Sequence, residues 1–179
     1  MPATRLLVPE DALVLAELRR ANRAFLAPSQ PLRGKEFFSD QGQAEIVGKA
    51  LEQYELGSSV PRVILDEHGE VVGMITLQSI IRGYLQSCSV GYWMAEGAQG
   101  RGLATAALRE ATLIAFYELH LHRVQAETSP QNFRSQRLLE RLGFVKFGVA
   151  EAYVWIAGTW QDDVLYQLLT PDPDLVLPG

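Results

Sequence analysis

A glycine-rich turn stands directly before an alanine-rich segment in MAEGAQGRGLATAALREATLIAFYEL, residues 94–119. The turn consists of Gln99, Gly100, Arg101 and Gly102. If it opens a helix, the free N–H groups of the first helical turn and the helix dipole attract anions. Glycine lets a ligand approach the backbone, and the guanidinium of Arg101 suits phosphate oxygens. The pattern predicts a pyrophosphate-binding turn, and a turn that needs glycine only for packing is the alternative.

Other nucleotide-binding patterns do not fit this turn. No Gly-Lys-Ser/Thr follows it, which excludes a Walker motif. The turn is also not G-x-G-x-x-G, and its preceding strand comes late in a series of strands rather than opening a βαβ unit. The expected anion site is therefore of another kind.

Hydrophobic periodicity and turn residues predict the elements that position this turn. They are a strand at 5–8, a helix from 9–11 to about 25–26, a helix at 44–56, strands at 60–65, 71–80 and 87–94, a helix after the glycine turn, a strand at 123–127, a helix at 132–142, and strands at 144–156 and 159–168. Short links predict an antiparallel meander of the three middle strands and a final hairpin. The helix between the strands at 87–94 and 123–127 predicts one parallel pair. We therefore expect one α/β domain over residues 1–170 with a mixed sheet, followed by a Pro-rich tail at 171–179.

Composition narrows the class of protein. The chain has 179 residues, 47% hydrophobic, and a formal net charge of −5, which argues against a nucleic-acid partner. The single cysteine, Cys88, cannot form an internal disulfide and is expected in a strand or the core. No apolar stretch predicts a signal peptide or a membrane span, so we expect a soluble cytoplasmic protein. His68, His120 and His122 lack the further ligands that a metal site needs, so no metal is expected.

Two motifs, in this order, resemble the GNAT superfamily of N-acetyltransferases. QGRGLA at 99–104 looks like the family's Q/R-x-x-G-x-G/A signature, which holds the pyrophosphate of acetyl-CoA. NFRS at 132–135 with LLERLGF at 138–144 is similar to the family's N-x-x-S/A … L-G-F helix. RRANRAFLAPSQP, IIRGYLQSCSVGYWM and VWIAGTWQDDVLYQLL resemble the RimJ/RimL branch, whose members acetylate the N-termini of ribosomal proteins.

The resemblance covers nearly the whole chain and carries implications for fold and function. It implies a GNAT-type domain, with a mostly antiparallel twisted sheet flanked by helices on both faces. It also implies an acetyl-CoA-dependent N-acetyltransferase that transfers acetyl directly to a protein N-terminal α-amine. A small amine, such as a polyamine, an amino acid or an aminoglycoside, is the alternative acceptor, and a non-catalytic CoA-binding domain is the alternative to an enzyme. A homodimer is compatible with either.

Direct transfer requires a base, an oxyanion donor and an acid, and the resemblance suggests residues for each. Glu127, five residues before Asn132, matches the glutamate that acts as base through a water, and Glu96 is the rival base. Ser135, three residues after Asn132, matches a serine acid in the RimL-like branch. Leu139 stands where many members have a tyrosine that acts as the general acid, which is a departure from the wider pattern. The oxyanion donor is expected to be a backbone N–H near Met94.

The resemblance further implies the contacts of both substrates. The expected cofactor contacts are Trp93, Met94, Gln99, Gly100, Arg101, Gly102, Leu103, Ala104, Thr105, Asn132 and Arg137. Asn132 would reach the pantetheine, although an asparagine at this position also suits a helix N-cap. The expected acceptor-groove residues are Asn22, Phe25, Tyr84 and Tyr153. We interpret Asp162 and Asp163 as a surface pair, and Trp93, Trp155 and Trp160 as covers of the core.

Overall fold

Seven strands form one sheet in the order β1-β2-β3-β4-β5-β7-β6 in the computed structural model, which describes residues 2–172. The strands are β1 (Thr4–Leu6), β2 (Val60–Leu65), β3 (Val71–Ile81), β4 (Ser87–Met94), β5 (Arg123–Thr128), β6 (Val145–Ile156) and β7 (Thr159–Leu169). Neighbouring strands are antiparallel except β4 and β5, which are parallel. The predicted meander, parallel pair and final hairpin are thereby confirmed. Most of the expected Pro-rich tail lies outside the described residues.

The helices are α1 (Asp11–Ala21), α2 (Arg23–Leu26), α3 (Asp40–Glu55), α4 (Leu103–Leu113) and α5 (Phe133–Arg141). A π-helical turn, Ile114–Glu118, extends α4, and three short 3-10 helices lie at Ala27–Ser29, Lys35–Phe38 and Glu96–Ala98. Among residues 2–172, no helix combines the length and apolarity that a bilayer crossing requires.

The sheet carries a hydrophobic core on each face. Successive strand residues point to opposite faces, so Val63 packs with Leu15 of α1 and Val47 of α3, whereas Ile64 belongs to the cluster that contains Leu108 of α4 and Leu138 of α5. Buried Cys88 lies in this second cluster, as expected, and burial raises the pKa of its thiol to about 12. Helices on both faces of a mostly antiparallel sheet confirm the predicted fold class.

The first predicted helix is wrong in one respect, because it breaks at Asn22. Asn22 leaves helical geometry, with φ −107° and ψ 17°. Its Nδ2 donates to the carbonyl of Leu18 at 2.8 Å, and its Oδ1 accepts the N–H of Glu96 at 2.8 Å. The break between α1 and α2 thus lies at a residue that makes one local hydrogen bond and one to a distant part of the chain.

The second predicted helix starts four residues too late. Ser39 is the N-cap of α3, and its Oγ accepts the N–H of Gly42 at 3.0 Å. This bond satisfies one of the unpaired N–H groups of the first turn, so the helix begins at Asp40 rather than at the first apolar residue.

Candidate active site

A gap between β4 and β5 is the centre of the site. The two strands pair only from Ser87–Arg123 to Ser89–Gln125. Beyond that point, β4 stays with β3 as far as Met94, and β5 stays with β7 as far as Thr128. One edge of each strand is therefore left without a strand partner.

Backbone N–H groups of β4 point into this gap. The N–H of Ala95 donates to the carbonyl of Val72 on β3 at 2.9 Å. Alternation along an antiparallel strand then directs the N–H groups of Met94 and Tyr92 away from β3. These groups are placed to donate to a ligand, which is the geometry required of the expected oxyanion donor.

Two cavities open on either side of the gap. The α4 cavity, of about 690 Å³, is lined by Phe25, Leu26, Ser29, Tyr92, Trp93, Met94, Ala98, Gln99, Gly100, Gly102, Leu103, Ala104, Thr105, Asn132, Arg134, Ser135, Leu138 and Arg141. The β5 cavity, of about 470 Å³, is lined by Phe25, Pro28, Ser29, Gln30, Val90, Gly91, Tyr92, Trp93, Ala126, Glu127, Thr128, Ser129, Gln131, Asn132, Ser135, Leu139, Ile156 and Asp163. The cavities meet at a junction formed by Tyr92, Asn132 and Ser135, which line both.

The glycine turn forms the start of α4, as predicted. Gly100 and Gly102 have φ of 78° and 77°, a conformation that strains other residues, and a Cβ on either would enter open space. Gly102 is the N-cap and provides no side-chain cap, so the first N–H groups of α4 are left for a ligand. Oε1 of Gln99 is buried and has no hydrogen-bond partner within residues 2–172. The turn thus presents unsatisfied polar groups at one wall of the α4 cavity.

The cations at this cavity differ from the expected ones. The guanidinium of Arg101 forms an ion pair with Glu67 and lies 3.9 Å from Asp66, on the β2–β3 turn. Arg137 lies outside the lining. Arg134 and Arg141, which the spacing of the motif did not single out, line the cavity instead.

Hydroxyl groups from two elements meet at the junction. Ser135 Oγ lies 2.8 Å from Tyr92 Oη, and its backbone N–H donates to Asn132 Oδ1 at 3.1 Å. Asn132 is therefore the N-cap of α5, and its Nδ2 has no partner among the described residues. Burial raises the pKa of Tyr92 above its ordinary value, so this phenol is protonated at neutral pH.

Glu127 projects from β5 into the second cavity. Ser89 Oγ donates to its Oε1 at 3.3 Å. Burial raises the pKa of the Glu127 carboxyl, and the negative charge of Asp163 raises it further. The rival base, Glu96, is exposed in the 3-10 turn before α4 and lies outside the lining of both cavities.

Asp163 contradicts the interpretation of a surface carboxylate pair. It is only 8% exposed and lines the β5 cavity beside Glu127. Asp162, by contrast, is exposed and accepts the N–H of Ala152 at 2.8 Å. Along β7, Asp163 shares a face with Leu165, which is a signal in the sequence that it points inward.

The expected acceptor residues are dispersed. Phe25 lines both cavities, and Asn22 links the α1–α2 break to Glu96. Tyr84 is fully exposed in the β3–β4 turn, and Tyr153 is half-exposed on β6; both lie outside the cavity linings. Trp93 borders both cavities, with the guanidinium of Arg19 stacked 3.6 Å from the centre of its ring.

The expectation that Trp155 and Trp160 cover the core is wrong. They are 49% and 62% exposed and pack against each other edge to face, with ring centroids 5.5 Å apart. They face each other across the turn of the β6–β7 hairpin, where their mutual contact replaces burial in the core.

The two cavities have opposite charge. Within the described part of the chain, the α4 cavity has Arg134 and Arg141 in its lining and no carboxylate. The β5 cavity has Glu127 and Asp163 in its lining and no lysine, arginine or histidine. The first therefore suits an anion and the second a cation, with the Ser135 and Tyr92 hydroxyls between them.

Comparisons with known proteins agree with this geometry. The family described as "Acetyltransferase (GNAT) domain" matches residues 5–145. The [Ribosomal protein uS5]-alanine N-acetyltransferase of Escherichia coli is 36% identical over 169 residues, which cover 94% of this chain and 87% of that protein. The solved ribosomal-protein-S5-alanine acetyltransferase of Vibrio fischeri superposes with a TM-score of 0.90 at 30% identity, covering 98% of this chain and 94% of that one.

A second similar solved structure contains CoA-disulfide. Mycobacterium smegmatis RimJ, in complex with CoA-disulfide, superposes with a TM-score of 0.90 at 29% identity, covering 97% of this chain and 88% of that one. Since the family matches most of the chain and the relatives match it almost from end to end, the chain belongs to the GNAT acetyltransferase family and is an N-acetyltransferase.

Proposed function

We propose that the protein transfers the acetyl group of acetyl-CoA to the α-amine of a protein N-terminus, with the N-terminal alanine of a ribosomal protein as the first acceptor to test. The observation that carries this proposal is the opposite charge of the two cavities and their meeting at Ser135. A phosphate-bearing donor and an ammonium-bearing acceptor would each bind where the charge favours it. The Escherichia coli relative is named for the uS5-alanine reaction, which supports the choice of acceptor.

Acetyl-CoA fits the groups that line the α4 cavity. The N–H groups at the start of α4 would hold the pyrophosphate, and the guanidinium groups of Arg134 and Arg141 would bind phosphate oxygens. The part of acetyl-CoA that enters the gap would accept hydrogen bonds from the N–H groups of Tyr92 and Met94 and from the free Nδ2 of Asn132. Acetyl-CoA supplies the thioester from which the acetyl group is transferred.

Proton transfer in this proposal uses the junction and the β5 cavity. Glu127, whose pKa burial raises above its ordinary value and which is therefore a stronger base than a solvated carboxylate, takes a proton from the acceptor ammonium directly or through a water. Ser135 donates a proton to the leaving sulfur and takes one from Tyr92 through their 2.8 Å hydrogen bond. The second proton, which the nitrogen loses as it becomes an amide, restores the Tyr92 phenol. The burial of Glu127 in the acceptor cavity supports it over the exposed Glu96.

A small cationic amine is the second candidate acceptor. The acidic lining of the β5 cavity, Glu127 and Asp163, attracts polyamines as well as N-terminal ammonium groups. Charge alone does not separate the two, whereas a direct assay does.

The test is intact-mass spectrometry of mixed acceptors incubated with enzyme and acetyl-CoA. Peptides with Ala, Ser, Thr or Met N-termini compete with polyamines, amino acids and aminoglycosides. Acetylation of Ala or Ser peptides supports the proposal, and acetylation of small amines alone overturns the acceptor. Failure to acetylate any of them, with acetyl-CoA still bound, overturns both proposed classes of acceptor.

The edge of the sheet supports a homodimer as a further part of the proposal. Apolar side chains on the edge strand β6, including Val145, Phe147 and Val149, are 45–62% exposed. Exposed apolar residues on an edge strand favour association, because both the side chains and the free backbone groups gain partners.

A further inference from the structure

Asp163 is a largely buried carboxylate without a partner among the described residues. It is 8% exposed, and no hydrogen bond or ion pair to its side chain occurs within residues 2–172. Burying a charge without a partner is costly, so native proteins usually pair such groups. A buried, unpaired carboxylate that opens into a cavity is typical of a group whose partner is a ligand.

The register of the sheet places Asp163 beside Glu127. Glu127 of β5 faces Leu165 of β7, and Asp163 lies two residues before Leu165 on the same face of β7. The two carboxylates are therefore diagonal neighbours across a strand pair, within reach of one small group between them. Both line the β5 cavity.

We propose that Asp163 binds the ammonium group of the acceptor together with Glu127, and so selects acceptors whose amine has no carboxylate next to it. This inference rests on the proposed function and names the part of the site that recognises the amine. The ammonium has three N–H donors, so it can donate one hydrogen bond to Asp163 and another to Glu127. Transfer of one proton to Glu127 frees the amine for attack, while Asp163 keeps its hydrogen bond.

The same charges disfavour free amino acids. An amino acid would bring its own carboxylate close to Asp163 and Glu127, and no lysine, arginine or histidine of the described lining would balance it. A peptide has a neutral amide in that place. The preference for a peptide over a free amino acid is thus electrostatic, apart from any contact with later residues.

Few titratable groups surround the carboxylate pair. Tyr92 from β4 is the other titratable residue in the described lining, and α5 contributes Ser135 and Leu139. Burial raises the pKa of Asp163, and the charge of Asp163 raises that of Glu127. Removing the charge of Asp163 should therefore lower the pKa of Glu127.

The experiment compares Asp163→Asn with Asp162→Asn, which makes the same chemical change at the neighbouring exposed position. For Asp163→Asn we expect the acceptor KM to rise about 10- to 100-fold, because one charge-assisted hydrogen bond to the ammonium is lost. The KM of acetyl-CoA should not change. The acid limb of kcat/KM should move to lower pH. Asp163→Glu should restore part of the acceptor affinity, and Asp162→Asn should match the wild type.

Thermal unfolding separates binding from a structural role. Because folding raises the pKa of Asp163, its ionised form costs stability above its ordinary pKa of 3.8. Asp163→Asn should therefore raise Tm at pH 7 and have little effect on Tm below that ordinary pKa. A lower Tm with both KM values raised would show a structural role and overturn the inference.

Two further outcomes keep the inference separate from the proposed function. In one outcome, the wild type acetylates peptides, and Asp163→Asn has the same acceptor KM and pH profile as the wild type. This outcome would leave the proposed function standing and overturn the role of Asp163. Wild-type activity on alanine as high as on an alanine peptide would refute the selection against carboxylates. A wild type that acetylates neither peptides nor polyamines would overturn the proposed function, and this inference with it.

Discussion

Glu127 combines burial, a like-charged neighbour and a single hydroxyl donor, and all three bear on its protonation. Because folding raises the pKa of this carboxyl, the ionised base is lost as pH falls through that raised value. Glu127→Gln should lower kcat by about 10²- to 10⁴-fold and remove the acid limb of the pH profile. Steady-state kinetics between pH 5 and 9 measure both effects.

Glu96→Gln provides the matched control for this variant, since Glu96 is exposed beside the same gap. It should retain the wild-type pH profile. The reverse result, with Glu96→Gln impaired and Glu127→Gln active, would assign the role of general base to Glu96.

The Ser135 and Tyr92 hydroxyls share one hydrogen bond, so their roles should not be additive. Ser135→Ala should lower kcat about 10- to 100-fold, and Tyr92→Phe should lower it less, because Ser135 remains. The double variant should resemble Ser135→Ala. Single-turnover acetyl transfer by the four proteins measures the coupling, and fully additive losses would contradict a shared proton path.

Part of this site could be predicted from local spacing and part could not. Glu127, Asn132 and Ser135 lie within nine residues, and one family motif locates them. Tyr92 and Asp163 reach the same place through the sheet, from strands distant in the chain, and no spacing rule connects them. Arg101 illustrates a different point: its position in the motif predicts phosphate binding, and the structure pairs its guanidinium with Glu67 of another turn, a contact that the motif does not reveal.

The start of α4 depends on glycine for two separable reasons, backbone conformation and ligand access. Alanine at Gly102 would cost about 1–2 kcal/mol because of the positive φ, and its Cβ would enter the open space at the α4 cavity. Gly57, with φ 69° and no atom within 4 Å of an added Cβ, imposes the same strain far from the cavity. Gly102→Ala and Gly57→Ala should therefore lose similar stability, whereas only Gly102→Ala should weaken acetyl-CoA binding, by about tenfold.

Denaturant unfolding and calorimetric titration with acetyl-CoA distinguish these effects. Equal acetyl-CoA affinity in the two variants would mean that glycine is present at residue 102 for the turn alone, which is the alternative to the pyrophosphate interpretation.

Element boundaries were predictable where the signals are local. The strands β2 and β4 match their predicted ranges, since apolar runs between turn residues define them. The start of α3 depends on a serine cap that precedes the apolar residues, and the break after α1 coincides with a hydrogen bond between Asn22 and Glu96. That bond joins distant parts of the chain, so no local pattern could reveal it.

At the scale of the molecule, the separation of charge between the two cavities predicts how salt and mutation affect the affinity for CoA. Arg134→Ala and Arg141→Ala should each raise the Kd of CoA about 3- to 10-fold and reduce its dependence on salt between 50 and 500 mM NaCl. Arg137→Ala is the matched control, because it removes the same charge from the same helix outside the cavity. Equal effects of all three variants would indicate a general field rather than specific contacts.

The exposed apolar residues of β6 predict self-association. Val149→Lys should lower the measured mass from dimer to monomer in light scattering, because a charge in the apolar contact opposes association. Leu56→Lys, at an exposed apolar position after α3, should leave the mass unchanged. A wild-type monomer at micromolar concentration would refute the homodimer.

Overall composition could not predict this charge pattern. The net charge of −5 describes an acidic surface, whereas the site contains a basic cavity and an acidic one side by side. Their separation follows from the divergence of β4 and β5, which places α5 arginines on one side of the gap and strand carboxylates on the other.

The common boundary of the two cavities also has a consequence for inhibitor design. A peptide joined through its N-terminus to the thiol of CoA by an acetyl linker would occupy both cavities at once and cross the junction beside Ser135. Binding of one half would hold the other at high effective concentration, so the conjugate should bind about 10²- to 10⁴-fold more tightly than either half. Because its two parts lie in separate spaces, each could be varied independently, and a series of such conjugates would report acceptor preference as affinity, without turnover.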